Sequence, residues 1–114
     1  MMKAFSDPEE PIMFSSKVNK LSRWNLQQTR VLVQTATHIY LFNNGKLNRK
    51  HRITNIAAFI KSSVSTEFVL HFPKGKDLRV VGLGLDEVEQ LLNQIQLMFA
   101  NKKRDTTLKI FAVP

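Results

Sequence analysis

The chain has 114 residues, 43% of them hydrophobic, and no cysteine. That is one domain's worth of sequence with enough apolar material for a single core, which excludes global disorder, disulfide scaffolds and thiolate metal sites. The formal net charge is +8, and from Pro11 to Thr66 there is no Asp or Glu against nine cations: Lys17, Lys20, Arg23, Arg30, Lys46, Arg49, Lys50, Arg52 and Lys61. Such a stretch cannot pair internally, and its field attracts anions.

Read in chain order, residues 1–11 are polar, with Pro8 and Pro11, and read as an N-terminal arm or short helix. They contain no apolar h-region, so no secretory signal is expected, and no apolar run approaches the roughly 20 residues that span a bilayer. Met13 to Leu21 alternates Phe14, Ser16, Val18 and Lys20 against Ser15, Lys17 and Asn19, the period of a strand. Thr29–Thr35 and Thr37–Phe42 continue in β-rich composition. Asn43-Asn44-Gly45 supplies the positive-φ residues of a tight hairpin. Strands are predicted over Lys46–Ile53, Ile56–Lys61, Glu67–Phe72 and Asp77–Val81, with Pro73-Lys74-Gly75-Lys76 as a turn. The period then changes. Asp86 reads as a helix N-cap, and Val88, Leu91, Leu92, Ile95, Met98 and Phe99 form an amphipathic stripe. Lys102, Lys103 and Arg104 suit the helix C-terminus, and Thr107–Val113 is a last short strand or an ordered tail.

Six or seven antiparallel strands followed by one helix predict a mainly β, pleckstrin-homology-like barrel capped by its C-terminal helix. The expected division is an arm over 1–11, the domain over 12–104 and a tail over 105–114.

The wording of the strands adds a resemblance. Phe14-Ser15-Ser16-Lys17-Val18-Asn19-Lys20, then Arg30-Val31-Leu32-Val33-Gln34-Thr35, then Ile39-Tyr40-Leu41, resembles the opening of the tail-homology-one domain of class I myosins and related protist modules. Arg49-Lys50-His51-Arg52-Ile53 and Glu67-Phe68-Val69-Leu70-His71 continue the pattern. Ser16 and Ala36 depart from it, standing where the family often has Asp. The resemblance implies a non-enzymatic module that binds anionic lipid, including phosphoinositide, at an open barrel mouth. The positions it implies for the ligand are Lys20, Arg23 and Arg30, flanked by a hairpin bearing Lys46, Arg49, Lys50 and Arg52. The family's pair of basic residues separated by one is partial here, because Gln28 precedes Arg30.

By alternation Lys20 and Arg30 share a face with Val18 and Leu32 and point to the barrel's interior or its mouth, where a phosphate would serve as counter-ion. The Arg49–Arg52 block reads equally as an electrostatic patch for a membrane or as a charged, solvated edge strand. Trp24, beside Arg23, is a candidate for contact with the membrane interface, against local packing. No catalytic motif, metal-ligand cluster or cofactor signature is present. The expected partners are an anionic membrane or, alternatively, an acidic cytoskeletal surface such as actin or a microtubule, with nucleic acid a remote third. The expected place is cytoplasmic, peripheral to membrane or cytoskeleton.

Overall fold

A computed structural model describes residues 10–102 and 108–113. Most of the predicted arm, the helix-end cations Lys103 and Arg104, and the tail up to residue 107 lie outside the described residues. β1 (Phe14–Leu21), β2 (Gln27–Gln34), β3 (His38–Asn43) and β4 (Lys46–Arg52) form an antiparallel meander. A 3-10 turn (Ile53–Asn55) leads to β5 (Ala58–Ser62), β6 (Phe68–His71) and β7 (Leu78–Val81). The helix α1 (Leu85–Lys102) and β8 (Lys109–Val113) complete the chain.

All eight strands belong to one sheet in the order β4-β3-β2-β1-β7-β6-β5-β8. β1 is where the sheet turns: it pairs with β2 along its length, and Asn19–Leu21 pair with β7 as well. The sheet thereby folds over one core, in which Val18, Leu32 and Leu41 of the first half meet Phe59, Leu70 and Leu78 of the second. Phe59 and Phe68 stack with ring centroids 5.0 Å apart at the centre. The predicted stripe of α1 is buried at every position and closes one end of this core.

Two local features follow from sequence chemistry. Asn44 (φ 53°) and Gly45 (φ 79°) both take positive φ, the requirement of the hairpin turn expected there. Gly82 (φ 97°) lets the chain leave β7 and enter α1, a conformation that strains any residue with a Cβ.

The structure departs from expectation in two places. The strand count is eight, because Lys109–Val113 adds to β5 in parallel. Leu108 is buried and Ile110 packs on the core, while the other residues of β8 are exposed. The helix starts two residues early, with Gly84 in the N-cap place expected for Asp86. Gly84 accepts its first bond, from the Val88 N–H at 3.0 Å, and Glu87 reaches back to the Gly84 N–H at 3.1 Å, so Asp86 lies inside the first turn. Ser16 fits its place by donating to Glu87 at 3.1 Å, where an Asp would set two carboxylates together.

Candidate anion-binding mouth

The antiparallel register brings three turns to the end opposite α1: β1–β2, β3–β4 and β6–β7. Each carries cations. Val18 pairs with Arg30 and Lys20 with Gln28, so Lys20 and Arg30 extend the core-facing rows of β1 and β2 outwards to the rim. Lys20 also sits opposite buried Val80. Arg49 pairs with buried Leu41 and so projects to the same side. Burial first, and then the positive fields of Arg49, Arg30 and Lys76, lower the Lys20 ammonium below the ordinary lysine range. Three cations from different elements therefore crowd Lys20 at this mouth. The acid at its rim, Asp77, is engaged by His71 at 2.7 Å.

Arg49 also holds the mouth in shape. Its guanidinium donates to the Lys76 carbonyl at 2.7 Å and the Asp77 carbonyl at 3.4 Å, joining β4 to the β6–β7 turn. Its Nε donates to His51 Nε2 at 2.9 Å. That bond requires a lone pair on Nε2, which leaves the His51 proton on Nδ1. His51 stacks on Phe72 with centroids 4.1 Å apart. Burial, and then the Arg49 charge, lower its pKa from 6.5 to about 4.

A pH dependence follows. The unfolded histidine takes up a proton near pH 6.5 and the folded one only near pH 4, so stability is full above pH 6.5 and falls between 6.5 and about 4. His51 is half-exposed, so the expected cost is roughly 1–2 kcal/mol, below what the full displacement would give. Urea unfolding against pH measures it, and His51→Gln is expected to flatten the slope. Part of the slope remains in that variant, because burial, with Lys50 and Arg52, also lowers His38.

The β1–β2 turn is tightly built. The Ser22 hydroxyl accepts from the Trp24 and Leu26 N–H groups, both at 3.2 Å, and the Asn25 N–H donates to the Ser22 carbonyl at 2.9 Å. Asn25 sits at φ 61° and its side chain accepts from Arg79 at 2.9 Å. This fixed turn presents Trp24, 71% exposed, and Leu26, 63% exposed. The Arg23 guanidinium lies over the Trp24 ring at 4.9 Å.

The predicted hairpin block divides. A register shift between Leu41 and Phe42 sets Arg49 facing the mouth, while Lys50 lies opposite Tyr40 and Arg52 opposite His38 on the outer face. Lys46 stands exposed at the turn itself. Arg30 donates to Asn48 at 3.4 Å and to the Thr29 carbonyl at 2.7 Å, which ties β2 to β4 beside the mouth. The residue that sequence reading missed is Lys76. Its signal was the Pro73-Lys74-Gly75-Lys76 turn, which the pairing of β7 with β1 brings to the same end as the β1–β2 turn.

A bent, mainly antiparallel sheet with an open cationic end and a helix over the other end is a pleckstrin-homology-like fold. Residues 1–111 match the family described as unconventional myosin tail, actin- and lipid-binding, and the chain belongs to that family. No curated protein matches it in sequence. Among solved structures, the N-terminal PH domain of human ARAP2 aligns with TM-score 0.71 at 12% identity, covering 84% of this chain and 86% of that one. The hSac2 domain of human phosphoinositide phosphatase Sac2 also gives TM-score 0.71 at 12% identity, over 99% of this chain and 83% of that one. The DH/PH region of p115-RhoGEF gives 0.70 at 9% identity, over 87% of this chain but only 32% of the longer one. These likenesses bear on the fold. The family's description is that of an actin- and lipid-binding tail. Among the described residues no helix is long and apolar enough to cross a membrane.

Proposed function

We propose that the domain is a non-enzymatic module that binds anionic membrane lipid, with phosphoinositide headgroups as the best fit, through the mouth formed by Lys20, Arg30 and Lys76. The observation that carries this reading is the register that sets Lys20, Arg30 and Arg49 on the core-facing rows at the open end of the sheet, opposite Val80, Val18 and Leu41. Self-repulsion at such a place is relieved by an external polyanion, and a phosphate at the rim replaces the hydration that the half-buried Lys20 has lost. Arg49 is held by backbone carbonyls and serves as a brace, with its remaining donors available to the ligand. Arg23 and Lys46 add to the long-range field. The motif departure at Gln28 removes one ligand from β2, and Lys76 supplies a cation from the opposite side.

Trp24 and Leu26 complete the reading. A rigid turn with two exposed apolar side chains beside cations suits the bilayer interface, where the indole sits at headgroup level. The resulting location is peripheral to an anionic membrane. A second reading, docking to an acidic cytoskeletal surface, is favoured by Lys50 and Arg52, which face away from the mouth.

Co-sedimentation with vesicles tests the lipid reading. Vesicles containing phosphatidylserine or phosphoinositide are expected to pellet the protein, and neutral phosphatidylcholine vesicles are not. Equal binding to both would contradict it. Trp24 is the sole tryptophan, so its fluorescence should shift to the blue on anionic vesicles. Trp24→Ala should weaken binding roughly 5–30-fold, the equivalent of about 1–2 kcal/mol for a partly inserted aromatic.

A further inference from the structure

The outer face of β2 and β3 holds a second cluster of buried side chains. Val33, Tyr40 and Phe42 are each 1% exposed, and Val31 packs against them. The main core lies on the other face of the same strands, with Leu32, Ile39 and Leu41. The rings of His38, Tyr40 and Phe42 stand in a row along β3, their centroids 5.6 and 6.0 Å apart.

Side chains on one face of a sheet bury their flanks against each other. Their tips are buried only by a second layer laid over the sheet. On the inner face that layer is the other half of the sheet together with α1. Every described strand lies in the one sheet, and the apolar stripe of α1 belongs to the main core. Lys50 reaches the outer cluster, its ammonium 6.0 Å from the Tyr40 ring, but one lysine stem does not cover three side chains.

The chain leading into β1 passes the end of this face. The Met13 N–H donates to the Gln34 carbonyl at 2.8 Å. Three residues earlier, the Glu10 carboxylate accepts from Thr37 Oγ1 at 2.8 and 3.0 Å and from the Thr37 N–H at 3.2 Å. Thr37 adjoins His38, the first ring of the row. The nine residues before Glu10 include Met1, Met2, Ala4 and Phe5. At about 3.3 Å per residue, the five steps from Glu10 to Phe5 reach up to roughly 17 Å, and the four from His38 to Phe42 need roughly 13 Å. Charge agrees with reach. Lys50 and Arg52 stand opposite Tyr40 and His38, and Asp7, Glu9 and Glu10 are the acids that precede Glu67 in the sequence. The family match begins at residue 1 and so includes this segment.

We infer that the outer face of β2 and β3 is a docking surface for the chain's own residues 1–9, with Phe5 as the apolar anchor over Tyr40 and Phe42, and Asp7 and Glu9 set against Lys50 and Arg52. The folding unit then starts at residue 1 and not at residue 12. An acidic partner that reaches Lys50 and Arg52 has to displace the segment's own acids. A second copy is the poorer occupant, because two chains of net charge +8 meeting at this cationic rim repel.

Nuclear Overhauser spectroscopy on the full chain tests this. The Phe5 ring protons are expected to show cross-peaks to the rings of Tyr40 and Phe42. In a mixture of labelled and unlabelled chains, those cross-peaks are expected to arise within one chain. Phe5→Ala is expected to lower the melting temperature by roughly 5–15 °C and to raise binding of the dye ANS as the face is uncovered. Asp7→Asn/Glu9→Gln is expected to move the side-chain resonances of Lys50 and Arg52 and to leave those of Lys20 in place. The assignment to residues 1–9 is overturned if Phe5 shows no cross-peak to β3, if the cross-peaks arise between chains, or if Phe5→Ala melts like wild type. Should Phe5→Ala fail to fold, the wild-type cross-peaks decide alone.

Discussion

Replacing Lys20 and Arg30 together with alanine is expected to weaken binding to anionic vesicles about 30-fold. Each basic residue near an anionic surface contributes about 1 kcal/mol, so two contribute about 2, and 1.4 kcal/mol is tenfold in affinity. The direction of the stability change separates this from a folding defect. Lys20 is disfavoured in its charged form by burial and by the fields of Arg49, Arg30 and Lys76. Removing two of the four cations relieves that repulsion and offsets the loss of the exposed Arg30 bonds to Asn48 and the Thr29 carbonyl, so the variant should melt close to wild type. A module whose cations served only solubility would show the unchanged melt without the affinity loss. Raising salt should weaken wild-type binding more steeply than that of the variant, since fewer counter-ions are then released or screened.

The second large effect is on the fold. Phe59 is fully buried and stacks on Phe68 of the neighbouring strand within the core. Phe59→Ala is expected to cost about 3–5 kcal/mol, the range for deleting a buried aromatic ring. Against a total stability of roughly 5–15 kcal/mol that is a large share, and a drop in melting temperature on the order of 15 °C should follow. Differential scanning calorimetry measures it directly. A change of a degree or two would mean that the core does not close around this ring.

How much of this was legible in the sequence depends on the kind of interaction. The meander from Phe14 to Arg52 was legible because alternation and the Asn44-Gly45 turn are local signals. The stripe from Val88 to Phe99 was legible because its period matches a helix. β8 was left open between strand and tail: Lys109–Val113 is too short to show a period, and its pairing with β5 joins segments distant in sequence. The convergence of Lys20 with Arg30 followed from two strands read in register. The contribution of Lys76 did not, because it depends on the sheet folding over at β1 to bring the β6–β7 turn across. The division of the hairpin block was hidden for a different reason. The register shift between Leu41 and Phe42 alters which side chains share a face, and nothing in Lys46–Arg52 announces it. Gln28 is a gap in the basic motif at β2, and under the proposed reading Lys76 offers a cation from another turn.

One measurement bears most directly on the claim that the mouth is the anion site. A soluble inositol phosphate is titrated into the isotope-labelled protein while the Lys and Arg side-chain resonances are followed by NMR. The expected result is that Lys20, Arg30 and Lys76 shift together and saturate with a single dissociation constant, while Lys50 and Arg52 stay in place. Shifts confined to Lys50 and Arg52, or no saturable shift at the mouth, would contradict the account.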